Sequence, residues 1–491
     1  MKYAIIYILL VFAAVLTVSC NNEDWPSPII SGGAATDTTL NIGDKLVLAP
    51  DITNLKDISY TWLVNGKEVS SGETYYMFTA TEPGNFIVTL RATNKGGTNE
   101  QLFKILVEEP IAVTLENGLS TPMCKVLSIK PAITGPERDD YEYEWAIGDS
   151  IIGQTETLEF IAVNAGDYTL TLTAKAGKQS SSANCQVKVE EAEYIDNAYN
   201  VLEYYPSPAQ GHNWSIIGTS SNWKYGYEHP LSYTEFLAKA TELKKENGYQ
   251  GLIIGSWGGY ATFQFDHTIA DVPGKTDLEI NATYANADVP TVYVGYDRNQ
   301  NGKPDEDEWY EIKNNDYGME DIPEYEITFT YLKIDIVTNE KKANIYFGWK
   351  DNQETPQEGE VAYNMTYKKA LTIEGTLSTK GFFPGYYMKD KESKEVVLLD
   401  GWKSSFSRKG KRITKDVTGS VYRYQKLNVD IAMAVNTKGE PVDLPGIDFV
   451  KVRKSVYPFV EEKGVKKDFN MDEKRMIEVN SIIDKHLILK K

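Results

Sequence analysis

Two stretches of this chain repeat one another at a period of about 82 residues, and each copy carries a Tyr-x-Trp pair: Tyr60 and Trp62, then Tyr143 and Trp145. Leu46 to Ile52 corresponds to Leu127 to Ile133, and Glu82-Pro83-Gly84 with Asn85 to Leu90 answers Asn164-Ala165-Gly166 with Asp167 to Leu172. Side chains two apart on a strand point the same way, so each Tyr-x-Trp sets two aromatic rings on one face, with the Trp plugging the space between two sheets. Gly84 and Gly166 mark the turn into the next long strand, where a residue without Cβ is the usual solution. Each copy therefore predicts one small β-sandwich, over residues 35–109 and 110–192.

The chain has 491 residues, too many for one core and enough for roughly three domains of about 150 residues each. Tyr (32) outnumbers Phe (16), and Gly, Thr, Val and Ile are plentiful between polar turns, which favours all-β structure throughout. A net charge of −19 argues against a nucleic-acid or anionic-membrane partner, since either needs a basic face, and is compatible with cation binding.

The first residues read as an export signal. Lys2 leads into the apolar run Ala4 to Val18, about 15 residues and so short of the roughly 20 that span a bilayer, and Thr17-Val18-Ser19-Cys20 places a small residue before a cysteine. The segment resembles a bacterial lipobox ending at a lipidated Cys20, with the departure that Leu16 sits four residues before the cysteine and Thr17 takes the usual Leu place. The tract Asn21-Asn22-Glu23-Asp24, opening a linker over 21–34, resembles the export signal of surface-exposed lipoproteins of the Bacteroidetes. That resemblance implies an outer-membrane lipid anchor with the mature chain facing the medium. With Cys20 so assigned, Cys124 and Cys185 are left either as a disulfide pair in an oxidising compartment or as two core thiols.

The two repeats resemble PKD-like domains, immunoglobulin-type β-sandwiches of surface proteins in which Tyr-x-Trp and Pro/Ala-Gly-x-Tyr/Phe-x-Val/Leu-x-Leu recur. Asn65-Gly66 and Gly148-Asp149 stand where that family often has Asp-Gly. Such domains act as spacers or adhesion modules, and in many of them the positions of Cys124 and Cys185 are neighbours.

After the acidic linker Glu190 to Asp196, a larger module is expected over 195–465. One helix is legible: Ser232 can cap it, Glu235 completes a capping box, Leu231 is a staple, Phe236, Leu237, Ala240 and Leu243 share a face, and Gly248 ends it. Elsewhere the pattern alternates as strands do, at Thr262–Phe265, Thr291–Val294, Glu326–Phe329, Asn344–Phe347 and Ile447–Val452. The C-terminal tail, 466–491, has helical spacing from Met471 to Leu489 and is expected to be helical.

Between two of those strands lies Asp297-Arg298-Asn299-Gln300-Asn301-Gly302-Lys303-Pro304-Asp305-Glu306-Asp307-Glu308. Oxygen side chains at positions 1, 3, 5, 9 and 12 with glycine at 6 follow the spacing of an EF-hand-type calcium loop. Asp297, Asn299, Asn301, the Lys303 carbonyl and Asp305, closed by Glu308 or Asp307, are the expected ligands of a structural Ca2+. Strands flank the loop, so it resembles isolated calcium loops of extracellular β-proteins. Residues 200–455 as a whole resemble PKD-containing cell-surface lipoproteins of gut-type Bacteroidetes, on Gly258-Gly259-x-x-Thr262-Phe263-x-Phe265-Asp266-His267-x-Ile269, on the calcium-like loop running into Trp309-Tyr310-Glu311-Ile312, and on Gly439-x-Pro441-Val442-Asp443-Leu444-x-x-Ile447 to Val452. That resemblance implies a jelly-roll-like β-sandwich, and an accessory role beside TonB-dependent transporters, including those for corrinoids.

No catalytic signature emerges. His212, His229, His267 and His486 lack metal-ligand spacing, and His-Glu-x-x-His, Gly-x-Ser-x-Gly and paired-cysteine motifs are absent from the sequence. Asp266 and Asp277 are the carboxylates to inspect for a glycosidase pair, against the plainer reading of turn carboxylates. Trp214, Trp223, Tyr225, Tyr227, Trp257 and Tyr260 crowd the start of the large module among Gly, Ser and Asn. Flat rings with polar neighbours suit sugars or a large planar cofactor, although Trp257 has the surroundings of a core residue. The expected protein is a surface lipoprotein whose distal module captures a glycan or a corrinoid for a transporter; adhesion or scaffolding is the second class and glycoside hydrolysis the third.

Overall fold

The computed structural model describes residues 25–32, 37–198, 200–207, 233–246, 251–255, 257–337, 342–366, 387–389, 395–397, 405–417, 419–462, 465–467 and 476–488. They are nearly all β: two immunoglobulin-like sandwiches followed by a larger β-sandwich with a helix of 14 residues. In the first sandwich a five-stranded sheet runs in the order Asp37–Leu40, Gly97–Val107, Gly84–Asn94, Ser59–Val64, Lys67–Ser71, with the first pair parallel. Lys45–Leu48 pairs with Tyr76–Thr79 in a second, smaller sheet.

Trp62 sits where the repeat predicts. It is fully buried among Leu48, Val88, Leu90 and Phe103, stacks on Tyr76 with centroids 5.6 Å apart, and donates its indole N–H to the Glu73 carbonyl at 3.0 Å. The polar tip is thus satisfied while the ring fills the core. Trp145 repeats the arrangement, fully buried and donating to the Thr155 carbonyl at 3.0 Å. The strand plan recurs as well: Leu119–Pro122 runs parallel to the end of Gln179–Glu190, as Asp37–Leu40 does to Gly97–Val107.

Contacts group the chain into two compact units, 1–117 with 130–156 and 169–185, and 118–129 with 157–168 and 186–491. One end of the second sandwich therefore belongs to the unit of the large module. The Thr268 N–H donates to the Cys124 carbonyl at 2.9 Å, Tyr194 Oη to the Met123 carbonyl at 2.9 Å, and Tyr296 Oη to Glu159 at 3.2 Å. Cys124 and Cys185 are buried thiols in different units, not a disulfide.

In the large module a six-stranded sheet runs Asn200–Tyr205, Tyr260–Ala270, Gly446–Arg453, Thr291–Gly295, Trp309–Ile312, Ala434–Val435. A four-stranded sheet, Leu252–Gly255, Ile477–Asp484, Leu278–Ala285, Tyr422–Val429, supplies the other side of one apolar core that includes Val201, Phe263, Val292 and Val450 with Ile280 and Ile482. A third sheet of six strands, from Glu358–Thr366 through Ile322–Val337 and Ser405–Asp416 to Val465–Lys467, goes beyond the expected single sandwich. The helix Tyr233–Glu246 covers the edge strand Asn200–Tyr205, whose exposed N–H groups it satisfies: Val201 N donates to Thr241 Oγ1 at 3.1 Å and Tyr204 N to Tyr233 Oη at 3.0 Å. A covered edge cannot recruit another strand.

The tail corrects the sequence reading. Ile477–Asp484 is a strand, and only Lys485–Ile488 is helical. Ile477, Val479 and Ile482 are buried β-branched residues whose spacing tolerates a helix but whose core contacts require a sheet, where the strand sits between Leu252–Gly255 and Leu278–Ala285. The large module therefore extends past residue 465.

Candidate functional site

The predicted calcium loop joins Thr291–Gly295 to Trp309–Ile312, which pair with Gly295 opposite Trp309. Gly302 (φ 74°) provides the sharp turn that a side chain would strain. Asp297 accepts from Asn301 N at 3.0 Å and from Gly302 N at 2.8 Å, Asn299 accepts from Asn301 N at 3.0 Å, and Asn301 accepts from Lys303 N at 2.7 Å. The amides of Asn299 and Asn301 both converge on one oxygen of Asp305, at 2.6 and 2.8 Å. Asp297, Asn299, Asn301 and Asp305 thus bring side-chain oxygens onto one curled loop, the donor type that calcium takes, with the two asparagine amides here turned to Asp305. Glu308 plays a different part: it is buried, and both its oxygens accept backbone N–H groups, from Arg298 at 2.9 Å and Asp305 at 3.1 Å. Asp448, missed in the sequence, anchors the loop by accepting from Asp297 N at 2.9 Å and Thr268 Oγ1 at 2.6 Å, and burial raises its carboxyl to about 6.

Beside the loop lies a cavity of about 310 Å³ lined by residues that include Tyr194, Gln264, His267, Tyr296, Asp297 and Asp448. His267 bonds Asp266 through Nδ1 at 2.7 Å and Asp484 through Nε2 at 2.9 Å. Burial alone would lower its pKa, but the hydrogen bonds and charges of Asp484 and Asp266 outweigh that and raise it. The chain of bonds continues: Asp484 accepts from His486 N at 2.7 Å, and His486 Nε2 meets Asp277 at 2.9 Å. Asp277 also accepts from Val272 N at 3.1 Å and Ile431 N at 2.8 Å. Asp266, on the exposed end of the network in the strand Tyr260–Ala270, and the buried Asp277 are thus joined through His267, Asp484 and His486 in one chain of hydrogen bonds.

Asp271, Asp277 and Asp430 bring oxygens within 4.8 Å of one another, and burial followed by these like charges and Asp443 raises Asp271 to about 7. A carboxyl that ionises near 3.8 in the unfolded chain and near 7 in the native one holds a proton in the native state only, so its stabilising share shrinks as pH rises from about 4 to about 7. His267, also raised, contributes fully below its unfolded value of 6.5 and loses its share as pH rises through the native value, which has the same sign. The calcium-free protein is expected to unfold at a lower temperature at pH 7.5 than at pH 5, followed by circular dichroism, with Asp271→Asn flattening the slope. A rising melting temperature over that window would show Asp271 already ionised in the native state.

The outer face of the six-stranded sheet carries the second arrangement. Register places three rows across it: Tyr205, Tyr260, Arg453 and Thr291; then Glu203, Thr262, Lys451, Tyr293 and Glu311; then Asn200, Gln264, Phe449, Gly295 and Trp309. The Lys451 ammonium lies 4.2 Å from the Trp309 ring centroid and 5.2 Å from that of Tyr260, and the Arg453 guanidinium lies 4.6 Å from Tyr260. Glu203 pairs with Lys451 at 3.3 Å and accepts from Thr262 Oγ1 at 2.6 Å. Tyr260, Tyr293, Trp309, Lys451 and Arg453 are all partly exposed. Gln264 reaches the Gly302 carbonyl at 3.4 Å, so the third row abuts the 297–308 loop.

Of the aromatic residues singled out by sequence, Tyr260 stands on this face and Trp257 is fully buried against Tyr325. Trp214, Trp223, Tyr225, Tyr227 and Cys20 lie outside the described residues. Sequence reading missed Tyr293, Trp309, Lys451 and Arg453. The strands holding Tyr293 and Lys451 were legible, and the outward parity of those positions against buried Val292, Val294, Val450 and Val452 was the available signal.

The fold and this site define an all-β protein of immunoglobulin-like sandwiches bearing a larger sandwich with a polar, aromatic sheet face. More particularly, the chain contains a PKD-like domain, whose family profile matches residues 36–94. No curated protein matches it by sequence. Among solved structures it is similar to the three-immunoglobulin-domain I67–I69 fragment of titin in an E-to-A variant (12% identity, TM-score 0.28, 70% of this chain and 99% of that one). It is also similar to fibronectin(III)-like modules of Clostridium thermocellum CbhA (13%, 0.20, 34% and 95%) and to the N-terminal immunoglobulin domains of Dscam1 isoform 8.4 (13%, 0.22, 33% and 46%).

Proposed function

We propose that this is an outer-membrane surface lipoprotein, anchored through Cys20, whose large module captures a nutrient glycan for a TonB-dependent transporter, with Ca2+ on the 297–308 loop as a structural ion. The observation that carries the reading is the three-row sheet face. Tyr260, Tyr293 and Trp309 offer ring surface for stacking on sugar rings, and Glu203, Lys451 and Glu311 offer hydrogen-bonding groups between them. The calcium loop would hold one border of that face through Gln264 and Trp309. Adhesion or scaffolding is the second reading, favoured by the PKD-like domain at 36–94.

Calorimetric titration of the mature, calcium-loaded chain against neutral and acidic oligosaccharides and a corrinoid tests the first reading. Micromolar binding to a glycan class is expected, weakened at least about tenfold in Tyr260→Ala/Trp309→Ala, since tenfold is only about 1.4 kcal/mol and the variant removes two stacking rings. Binding of the corrinoid alone would keep capture and change the ligand. Silence against every probe from a folded protein would leave adhesion as the function.

A further inference from the structure

The cations of the sheet face are not equally neutralised. Lys451 faces Glu203 at 3.3 Å, and Lys411, from the strand Ser405–Asp416 beside the face, pairs with Glu311. Arg453, two residues along from Lys451 and so on the same side of the same strand, makes no ion pair among the described residues, and its Nε is buried without a hydrogen-bond partner there. Its Nη1 donates only to the Lys409 carbonyl. Lys451 is lowered by burial and, after the opposing pull of Glu203, by the charge of Arg453. Two neighbouring cations thus share a single carboxylate, in a chain whose net charge is −19.

The guanidinium is also held in place. Its plane is backed by the Tyr260 ring at 4.6 Å, and it occupies space that Gly410 leaves open, where a Cβ would come within 2.7 Å of Nη1. A rigid, planar cation with no carboxylate of its own is the side chain suited to a bidentate acid, and an ordered one loses little entropy on binding. The flanking rings of Tyr260 and Trp309 would take the sugar planes on either side of that acid.

We infer that the face selects acidic glycans, with Arg453 and Lys451 receiving the carboxylate of a uronic-acid residue. The inference rests on the capture reading and narrows its ligand class. Removing the charge removes the charge-assisted hydrogen bonds, so an acid should bind at least about tenfold more tightly than its uncharged counterpart.

The test is titration of the mature, calcium-loaded chain with short galacturonate, glucuronate and mannuronate oligomers, each beside its methyl ester, which keeps the ring and removes the charge. The expected result is at least about tenfold tighter binding of one acid series than of its ester, weakening with added salt, and loss of that difference in Arg453→Gln. The comparison of acid with ester on the unaltered protein stands even if the variant fails to fold. Equal binding of acid and ester, or binding of neutral oligosaccharides alone, would overturn the acidic selectivity while leaving glycan capture in place. Binding of no oligosaccharide at all would overturn both.

Discussion

Asp484→Ala should destabilise the protein by about 3 to 5 kcal/mol, the range seen when one partner of a buried ion pair is removed. Asp484 is almost fully buried and serves two elements at once: one oxygen holds His267 of the strand Tyr260–Ala270, and the other accepts the N–H of His486 in the final short helix. Without it His267 keeps only Asp266, and the end of the strand Ile477–Asp484 loses its tie to the core. Asp484→Asn should cost less, because an amide oxygen still accepts one of the two bonds. Equilibrium urea unfolding measures both. A loss below about 1 kcal/mol for Asp484→Ala would mean that the network is replaced by water at little cost.

Millimolar calcium should stabilise the protein by about 2 to 3 kcal/mol if the loop binds about twenty to one hundred times more tightly than the concentration supplied, and Asp297→Asn/Asp305→Asn should remove that increment. The asparagines preserve size, but at position 297 a single amide oxygen can accept only one of the bonds from Asn301 N and Gly302 N, so the readout is the calcium-dependent gain in melting temperature, not the baseline. Asp448 lies directly behind the loop, which makes rigidity of its border part of the effect. An unchanged melting temperature on chelation in the unaltered protein would sink the calcium assignment.

The residues that declared themselves in sequence did so through local periodicity. Tyr-x-Trp at Trp62 and Trp145, the loop spacing from Asp297 to Glu308 and the strand at Ile447–Val452 are each decided within a dozen residues. The tail reads as a helix in sequence because Ile477, Val479 and Ile482 fit either period over so short a run, and only the two strands on either side choose between them. Position in the loop marks Glu308 or Asp307 as the closing ligand, and the structure adds what spacing does not encode: both Glu308 oxygens accept backbone N–H groups.

What the sequence determined by itself is the all-β character, the two sandwiches and the curled oxygen-rich loop, because alternation, turn residues and short-range spacing act between near neighbours. What only the tertiary structure decided is the site. Tyr260, Tyr293, Trp309 and Lys451 come from four strands, of which only those of Tyr293 and Trp309 are neighbours in the chain, and cross-strand register brings them into adjacent rows. The chain of Asp266, His267, Asp484, His486 and Asp277 likewise joins residues more than 200 positions apart, through contacts that exist only once the core has closed.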